Sequence, residues 1–278
     1  MAHTTKKIEA NGITLACNVY ENPGAPVLVL IHGLTSTKES YNLTIPYLTE
    51  KYHILSLDLR GHGESTQAGP YVFAQLVEDI LAVLDHEGIE KTTLVGGSFS
   101  NAPIQQFAAK YPERVERIVM LDGGFARNCE MPGYNIEEIK SRPVFSVATK
   151  QDALALARSG YGEPVNEFVD EQTLREFHEG ADGRWTFRLP HEAFMGYAEE
   201  YATFSLDELA ATLHKPILVL QATRRPAFYD EALKRYLAKF PTAQAVAIPD
   251  SPHPLMVSHP QQVAAYIDRF VEGKDLHA

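Results

Sequence analysis

The sequence predicts an α/β fold: a mostly parallel sheet flanked by helices and interrupted once by a long helical insertion. Three observations predict it. Short apolar runs alternate with amphipathic stretches along most of the 278 residues, the rhythm of strands covered by helices on both faces. One apolar run, Thr93-Leu94-Val95, leads into the tight turn Gly96-Gly97-Ser98-Phe99-Ser100, and a helix pattern follows. Between Phe125 and His214 the alternation stops, helix formers dominate and no buried strand is read.

In order, Ile13 to Tyr20 reads as an early strand, followed by the turn Glu21-Asn22-Pro23-Gly24. Pro26 to Ile31 is continuously apolar, as expected of a strand buried on both faces. His53 to Leu57 is a second such strand and ends at Asp58-Leu59-Arg60-Gly61-His62-Gly63. Tyr71 to Leu84 carries helical spacing through Phe73, Leu76, Ile80 and Leu84, and stops near Gly88. Thr92 to Val95 and Arg117 to Leu121 are further strands, with a helix from Asn101 to Lys110 between them. In the irregular region, Asp152 to Arg158, Asn166 to Glu179 and His191 to Glu199 read as short helices. Pro216 to Leu220 and Ala243 to Ile248 complete the strands, and a last helix runs from about Pro260 to Val271. The chain thus divides into a core, residues 1–124 and 214–278, and an insertion, residues 125–213. An insertion of that length in a tight alternation is expected to be a lid over the active site; the alternative is a subdomain that only covers apolar surface.

Composition sets the class. Apolar residues make up 45% and charged residues 22%, as in ordinary globular proteins with one large core. A net charge of −11 argues against nucleic acid or an anionic membrane as partner, leaving a small-molecule substrate. Two cysteines, Cys17 and Cys129, cannot build a disulfide framework or a thiolate metal site, and fit a reducing compartment. The start, Met1-Ala2-His3-Thr4-Thr5-Lys6-Lys7, is followed by no apolar signal core, and no run approaches the roughly 20 apolar residues of a membrane span. A cytoplasmic location is expected.

The turn at Ser98 carries the chemistry. Where strand and helix backbones crowd together around a strained serine, small residues must stand two positions before and after it. Gly96 and Ser100 meet that rule, although a serine replaces the usual second glycine. A second reading centres the turn on Ser100, between Ser98 and Ala102; the apolar run ending at Val95 favours Ser98. Two more motifs follow the preceding strands, His32-Gly33-Leu34 and Arg60-Gly61-His62-Gly63-Glu64-Ser65. With these three motifs in this order, the chain resembles the α/β-hydrolase superfamily over nearly its whole length.

The resemblance implies the α/β-hydrolase fold, with a helical lid inserted after the sixth strand. It implies Ser98 as nucleophile and His253, in Pro249-Asp250-Ser251-Pro252-His253-Pro254 after the final strand, as its base. It further implies an oxyanion hole from the backbone N–H groups of Leu34 and Phe99. His32 and His62 match positions that are usually structural in this family, and His259 sits at the start of the following helix.

The acid departs from the common pattern. Most relatives place an aspartate after the strand Pro216 to Leu220, where this chain reads Gln221-Ala222-Thr223-Arg224-Arg225-Pro226. An arginine there would repel a histidine cation. Asp230 lies a few residues on, at a position expected on the next helix. Asp122, at the tip of the strand after the elbow helix, is the better candidate. Certain haloalkane dehalogenases and the zearalenone lactonases use an acid there, and the tail Val257-Ser258-His259-Pro260 also resembles the lactonases. A serine–histidine dyad without an acid is the remaining option.

The expected activity is hydrolysis of a carboxylic ester or lactone, with no metal or organic cofactor needed. A nucleophilic serine argues against haloalkane dehalogenase and epoxide hydrolase chemistry. The alternatives are carbon–carbon bond hydrolysis or perhydrolysis on the same scaffold, and a hydrolase-like binding or receptor protein. Trp185, Phe194 and Met195 are candidates for lining the acyl pocket or for lid core. Arg224 and Arg225 are expected at solvated surface positions, with pairing to Asp230 or Glu231, or to a substrate carboxylate, as the other options.

Overall fold

The computed structural model describes residues 2–161 and 167–276. β1 (Thr4–Ala10) and β2 (Ile13–Tyr20) form an antiparallel hairpin that turns through Asn11 and Gly12, both at positive φ. β1 is absent from the predicted strands because only Ile8 of its seven residues is buried, so no apolar pattern marks it. β3 (Val27–Ile31), β4 (His53–Leu57), β5 (Thr92–Gly97) and β6 (Val115–Leu121) follow, with α1 (Phe73–His86) before β5 and α2 (Asn101–Lys110) after it.

The insertion after β6 carries α3 (Ile136–Ser141), β7 (Ser146–Val147), α4 (Lys150–Tyr161), α5 (Glu167–Glu176), β8 (Phe177–Glu179), β9 (Trp185–Phe187), α6 (His191–Thr203) and α7 (Leu206–Thr212). β10 (Ile217–Ala222), α8 (Phe228–Lys239), β11 (Ala243–Ile248), α9 (Leu255–Ser258) and α10 (Pro260–Val271) complete the chain. The insertion is helical, as expected, with one addition: β7, β9 and β8 form a small antiparallel sheet. Strands of two or three residues are too short to show an alternation in sequence. Of the helix expected from Asn166 to Glu179, Asn166 lies outside the described residues. That helix gives way to strand at Phe177, where Phe177 pairs with Phe187.

The main sheet has eight strands in the order β1-β2-β4-β3-β5-β6-β10-β11. β2 runs antiparallel to β1 and β4, and the other pairings are parallel. Alternate side chains of one strand face opposite layers. Val29 and Ile31 pack with Leu76 of α1, Phe107 of α2 and Tyr236 of α8. Leu28 and Leu30 pack with Val263, Ile267 and Phe270 of α10. Burial on both faces explains why these strands read as continuous apolar runs. The parallel strands β3, β4, β5, β6, β10 and β11 end at one edge of the sheet, where β/α loops gather and ligand sites form in such folds. Among the described residues no helix is long and apolar enough to cross a membrane.

Candidate active site

Ser98 stands between β5 and α2 with φ of 56°, in the left-handed region that side chains other than glycine rarely adopt. The turn is tight enough to explain its small residues. A Cβ on Gly96 would lie 2.4 Å from Asn101 Oδ1, and one on Gly123 would lie 2.5 Å from the Ser98 carbonyl oxygen. Ser100 is fully buried; its Oγ donates to the Ile31 carbonyl at 3.0 Å and accepts from the Gly97 N–H at 2.9 Å. A serine therefore replaces the customary glycine because it ties the turn to β3. Of the two serines the sequence offered, Ser98 stands at the turn.

Three side chains meet there. His253 lies in the loop after β11, and its Nε2 is 2.8 Å from Ser98 Oγ. Its Nδ1 is 2.6 Å from Asp122 Oδ2. Asp122 sits at the tip of β6 with φ of 49° and is fully buried. Its other oxygen, Oδ1, accepts from the Ala222 N–H at 3.0 Å, a donor at the end of the neighbouring strand β10. The histidine loop is pinned to the β10 loop through Ser251, whose carbonyl accepts from Arg224 N–H at 2.9 Å and whose hydroxyl donates to Ile248.

Arg225 corrects an expectation. It is not a solvated surface residue, for its side chain is 11% exposed and its Nη1 lies 2.6 Å from Asp122 Oδ1. Nη1 also donates to the Asp122 main-chain carbonyl at 3.1 Å, and the guanidinium stacks 3.4 Å over the Tyr229 ring. The cation that stands where an acid is customary therefore partners the acid one strand away. Arg224 is exposed, and Asp230 lies in α8, accepting a 2.7 Å hydrogen bond from Gln221.

The β3 loop brings Leu34 to the same place. Its carbonyl is 2.6 Å from His62 Nε2, and His32 Nε2 accepts from the Leu59 N–H at 3.1 Å, so two buried histidines brace the loop. Burial lowers the pKa of both, His32 to about 4 and His62 to about 3, which keeps the imidazoles neutral. The N–H of Leu34 donates no hydrogen bond to another described residue.

Two cavities border Ser98, His253 and Leu34. The larger, about 420 Å³, is lined by Tyr161, Glu176, Phe177 and Phe187 of the insertion and by Met256 and Val257 of the core. The smaller, about 150 Å³, is lined by Phe99, Asp122, Arg127, Tyr201, Arg225 and Tyr229. Trp185, Phe194 and Met195 reach neither. Phe194 and Met195 border a separate cavity with Phe187 and Leu189, and Lys150 lies over the Trp185 ring at 6.0 Å. For Phe194 and Met195 the reason is helical phase: α6 turns Ala193 and Tyr197 inward, and each residue is rotated about 100° from the next. Phe177 and Phe187 occupy the place expected of those side chains.

Glu176 was not legible in the sequence. It is 7% exposed, and its Oε1 accepts from Ser36 Oγ at 2.8 Å, Gln172 Nε2 at 2.9 Å and Tyr161 at 3.4 Å, with no cation bonded to it among the described residues. Burial pushes its carboxyl up to about 7. The native state is therefore favoured at low pH, and that advantage is lost as pH rises from about 4.5 through 7. Glu176→Gln is expected to stabilise the protein at pH 8 by up to about 3 kcal/mol, with no gain near pH 4. Thermal unfolding of both proteins at the two pH values checks this, and an equal difference at both would refute it.

The chain has relatives among known proteins. A family model described as alpha/beta hydrolase fold matches residues 26–260. The chain is similar to esterase YbfF of Escherichia coli, 24% identical over 249 residues that cover 88% of this chain and 92% of that protein. It is also similar to 3-oxoadipate enol-lactonase 2 of Acinetobacter baylyi, 26% identical over 206 residues, 72% of this chain and 69% of that one. Among solved structures, E-2-(acetamidomethylene)succinate hydrolase superposes with a TM-score of 0.81 at 18% identity, covering 98% of this chain and 100% of the other.

Proposed function

Because the chain belongs to the alpha/beta hydrolase fold family, we propose that it is a serine hydrolase cleaving a carboxylic ester or lactone through an acyl-enzyme on Ser98. The relay Ser98–His253–Asp122, at 2.8 and 2.6 Å, is the observation that carries this reading. Esterase and enol-lactonase relatives support the ester class over carbon–carbon cleavage.

Asp122 accepts from His253 Nδ1–H and so leaves Nε2 free to take the Ser98 proton. Ser98 Oγ attacks the carbonyl carbon to form a new C–O bond, and the C=O π pair moves onto the carbonyl oxygen. The N–H groups of Leu34 and Phe99 hold that oxyanion, each contributing roughly 3–4 kcal/mol in comparable sites. The tetrahedral adduct collapses, and His253 passes its proton to the leaving alkoxide. Water, deprotonated by His253, then attacks the acyl-enzyme and restores Ser98. In a lactone the leaving alkoxide stays attached to the acyl chain, and a hydroxy acid departs after deacylation.

In this proposal residues 125–213 act as a lid on the core formed by 1–124 and 214–278. Support comes from the wall that Tyr161, Glu176, Phe177 and Phe187 add to the larger cavity, and from the bonds of Gln172 and Glu176 to Ser36. A dry cavity strengthens the electrostatics of the oxyanion site.

A fluorophosphonate probe tests the reading, because only an activated serine reacts quickly. Labelling is expected within minutes, on the peptide holding Ser98, with labelling at least 100-fold slower in His253→Ala. Folded protein that stays unlabelled and leaves p-nitrophenyl esters intact would favour a binding protein on this scaffold.

A further inference from the structure

We infer that the smaller cavity beside Ser98 is a carboxylate subsite, so that the substrate bears an anionic carboxylate on one side of its scissile bond and an apolar group on the other. This rests on the serine-hydrolase reading. The two cavities share Ser98, His253 and Leu34 but differ in chemistry. In the larger one, apolar side chains dominate and Glu176 is the single Asp, Glu, Lys or Arg among the described residues of the lining. In the smaller one, Arg127 and Arg225 line the wall together with Asp122.

Arg225 uses Nη1 on Asp122, while its Nε and Nη2 donate no hydrogen bond among the described residues. The Tyr229 ring, 3.4 Å from the guanidinium carbon, fixes the plane of the group that carries these unused donors. Arg127 reaches the cavity from the insertion and uses Nε on Glu130, and its Nη1 and Nη2 donate no hydrogen bond among the described residues. Glu130 is shared with Arg235 at 3.1 Å. Within the described lining, the two guanidinium groups of Arg127 and Arg225 stand beside one carboxylate, Asp122, in a chain of net charge −11.

Guanidinium donors left unfilled in a mostly buried site favour a planar anion that accepts from two of them together. A cavity of about 150 Å³ suits a short carboxylate-bearing chain and excludes a bulky anion. The acidic surface repels anions at long range, so the selection occurs at the site and not by steering.

Matched esters test the inference. Monobenzyl succinate and benzyl succinamate differ only in carboxylate against amide on the acyl side; phenylacetylglycolate and its glycolamide differ likewise on the alcohol side. In at least one pair, kcat/KM is expected to be about tenfold or more higher for the acid, and Arg127→Gln lowers that ratio about tenfold. Lys234→Gln, which removes the same charge from an exposed site on α8, leaves the ratio unchanged. Binding of monobenzyl succinate and phenylacetylglycolate to Ser98→Ala protein, which needs no turnover, is expected to weaken for at least one of them when Arg127→Gln is added. Acid-to-amide ratios near one with the neutral esters cleaved overturn the subsite and leave the hydrolase reading standing. Absence of both turnover and fluorophosphonate labelling removes the hydrolase reading. Equal binding of both acids with and without Arg127 overturns the subsite in either case.

Discussion

Ser98→Ala is expected to lower kcat on a p-nitrophenyl ester by about 10⁵-fold or more while the protein stays folded. Losses of that order follow removal of the nucleophile in serine hydrolases whose parts act as a unit. Alanine keeps the Cβ that packs beside Gly33 and removes only Oγ, whose bond to His253 Nε2 contributes little to the fold. Wild-type protein mixed with a slowly deacylating ester should gain the mass of one acyl group on Ser98, and the variant should gain none. Retention of more than about one percent of activity would place the nucleophile elsewhere, with buried Ser100 the first alternative to test.

Asp122→Asn is expected to lower kcat by about 10³- to 10⁴-fold, and the cause can be read from its neighbours. The site of Oδ1 faces two donors, Ala222 N–H at 3.0 Å and Arg225 Nη1 at 2.6 Å. An asparagine there turns its carbonyl oxygen toward them, which leaves its NH₂ group pointing at His253 Nδ1. That nitrogen must then accept, so the ring proton moves to Nε2, the atom that has to receive the proton of Ser98. An imidazole in that tautomer is no base for the serine, and a loss of this size accompanies the same exchange in the template triad. The carboxylate paired with mostly buried Arg225 is also lost, so the melting temperature falls. Steady-state kinetics on protein shown to be folded by circular dichroism provide the check. A loss under tenfold would mean that the serine and histidine work without this acid.

Legibility followed burial and length. β3 and β10 were readable because both faces are covered, which leaves continuous runs such as Val27–Ile31. β1 escaped because it is an edge strand with one buried side chain, and the small insertion sheet escaped because its strands span two or three residues. In the site, Ser98 and His253 announced themselves through the residues beside them. Asp122 stands out only because Arg224 and Arg225 occupy the place of the customary acid. Arg225 itself reads as a surface residue, because nothing local names its partner 103 residues away.

The amino-acid order alone determined the alternation of elements, the turn at Ser98 and the loop of His253, since each depends on neighbours within a few positions. The tertiary structure decided what those groups touch. Ser98 and His253 are 155 residues apart, His253 and Asp122 are 131, and Glu176 meets Ser36 across 140. Contacts of that separation arise from strand register, helix phase and the path of the insertion, which are set by packing of the whole core. For the same reason the insertion residues lining the cavities, Phe177 and Phe187 in place of Trp185 and Phe194, became apparent only once the chain was folded.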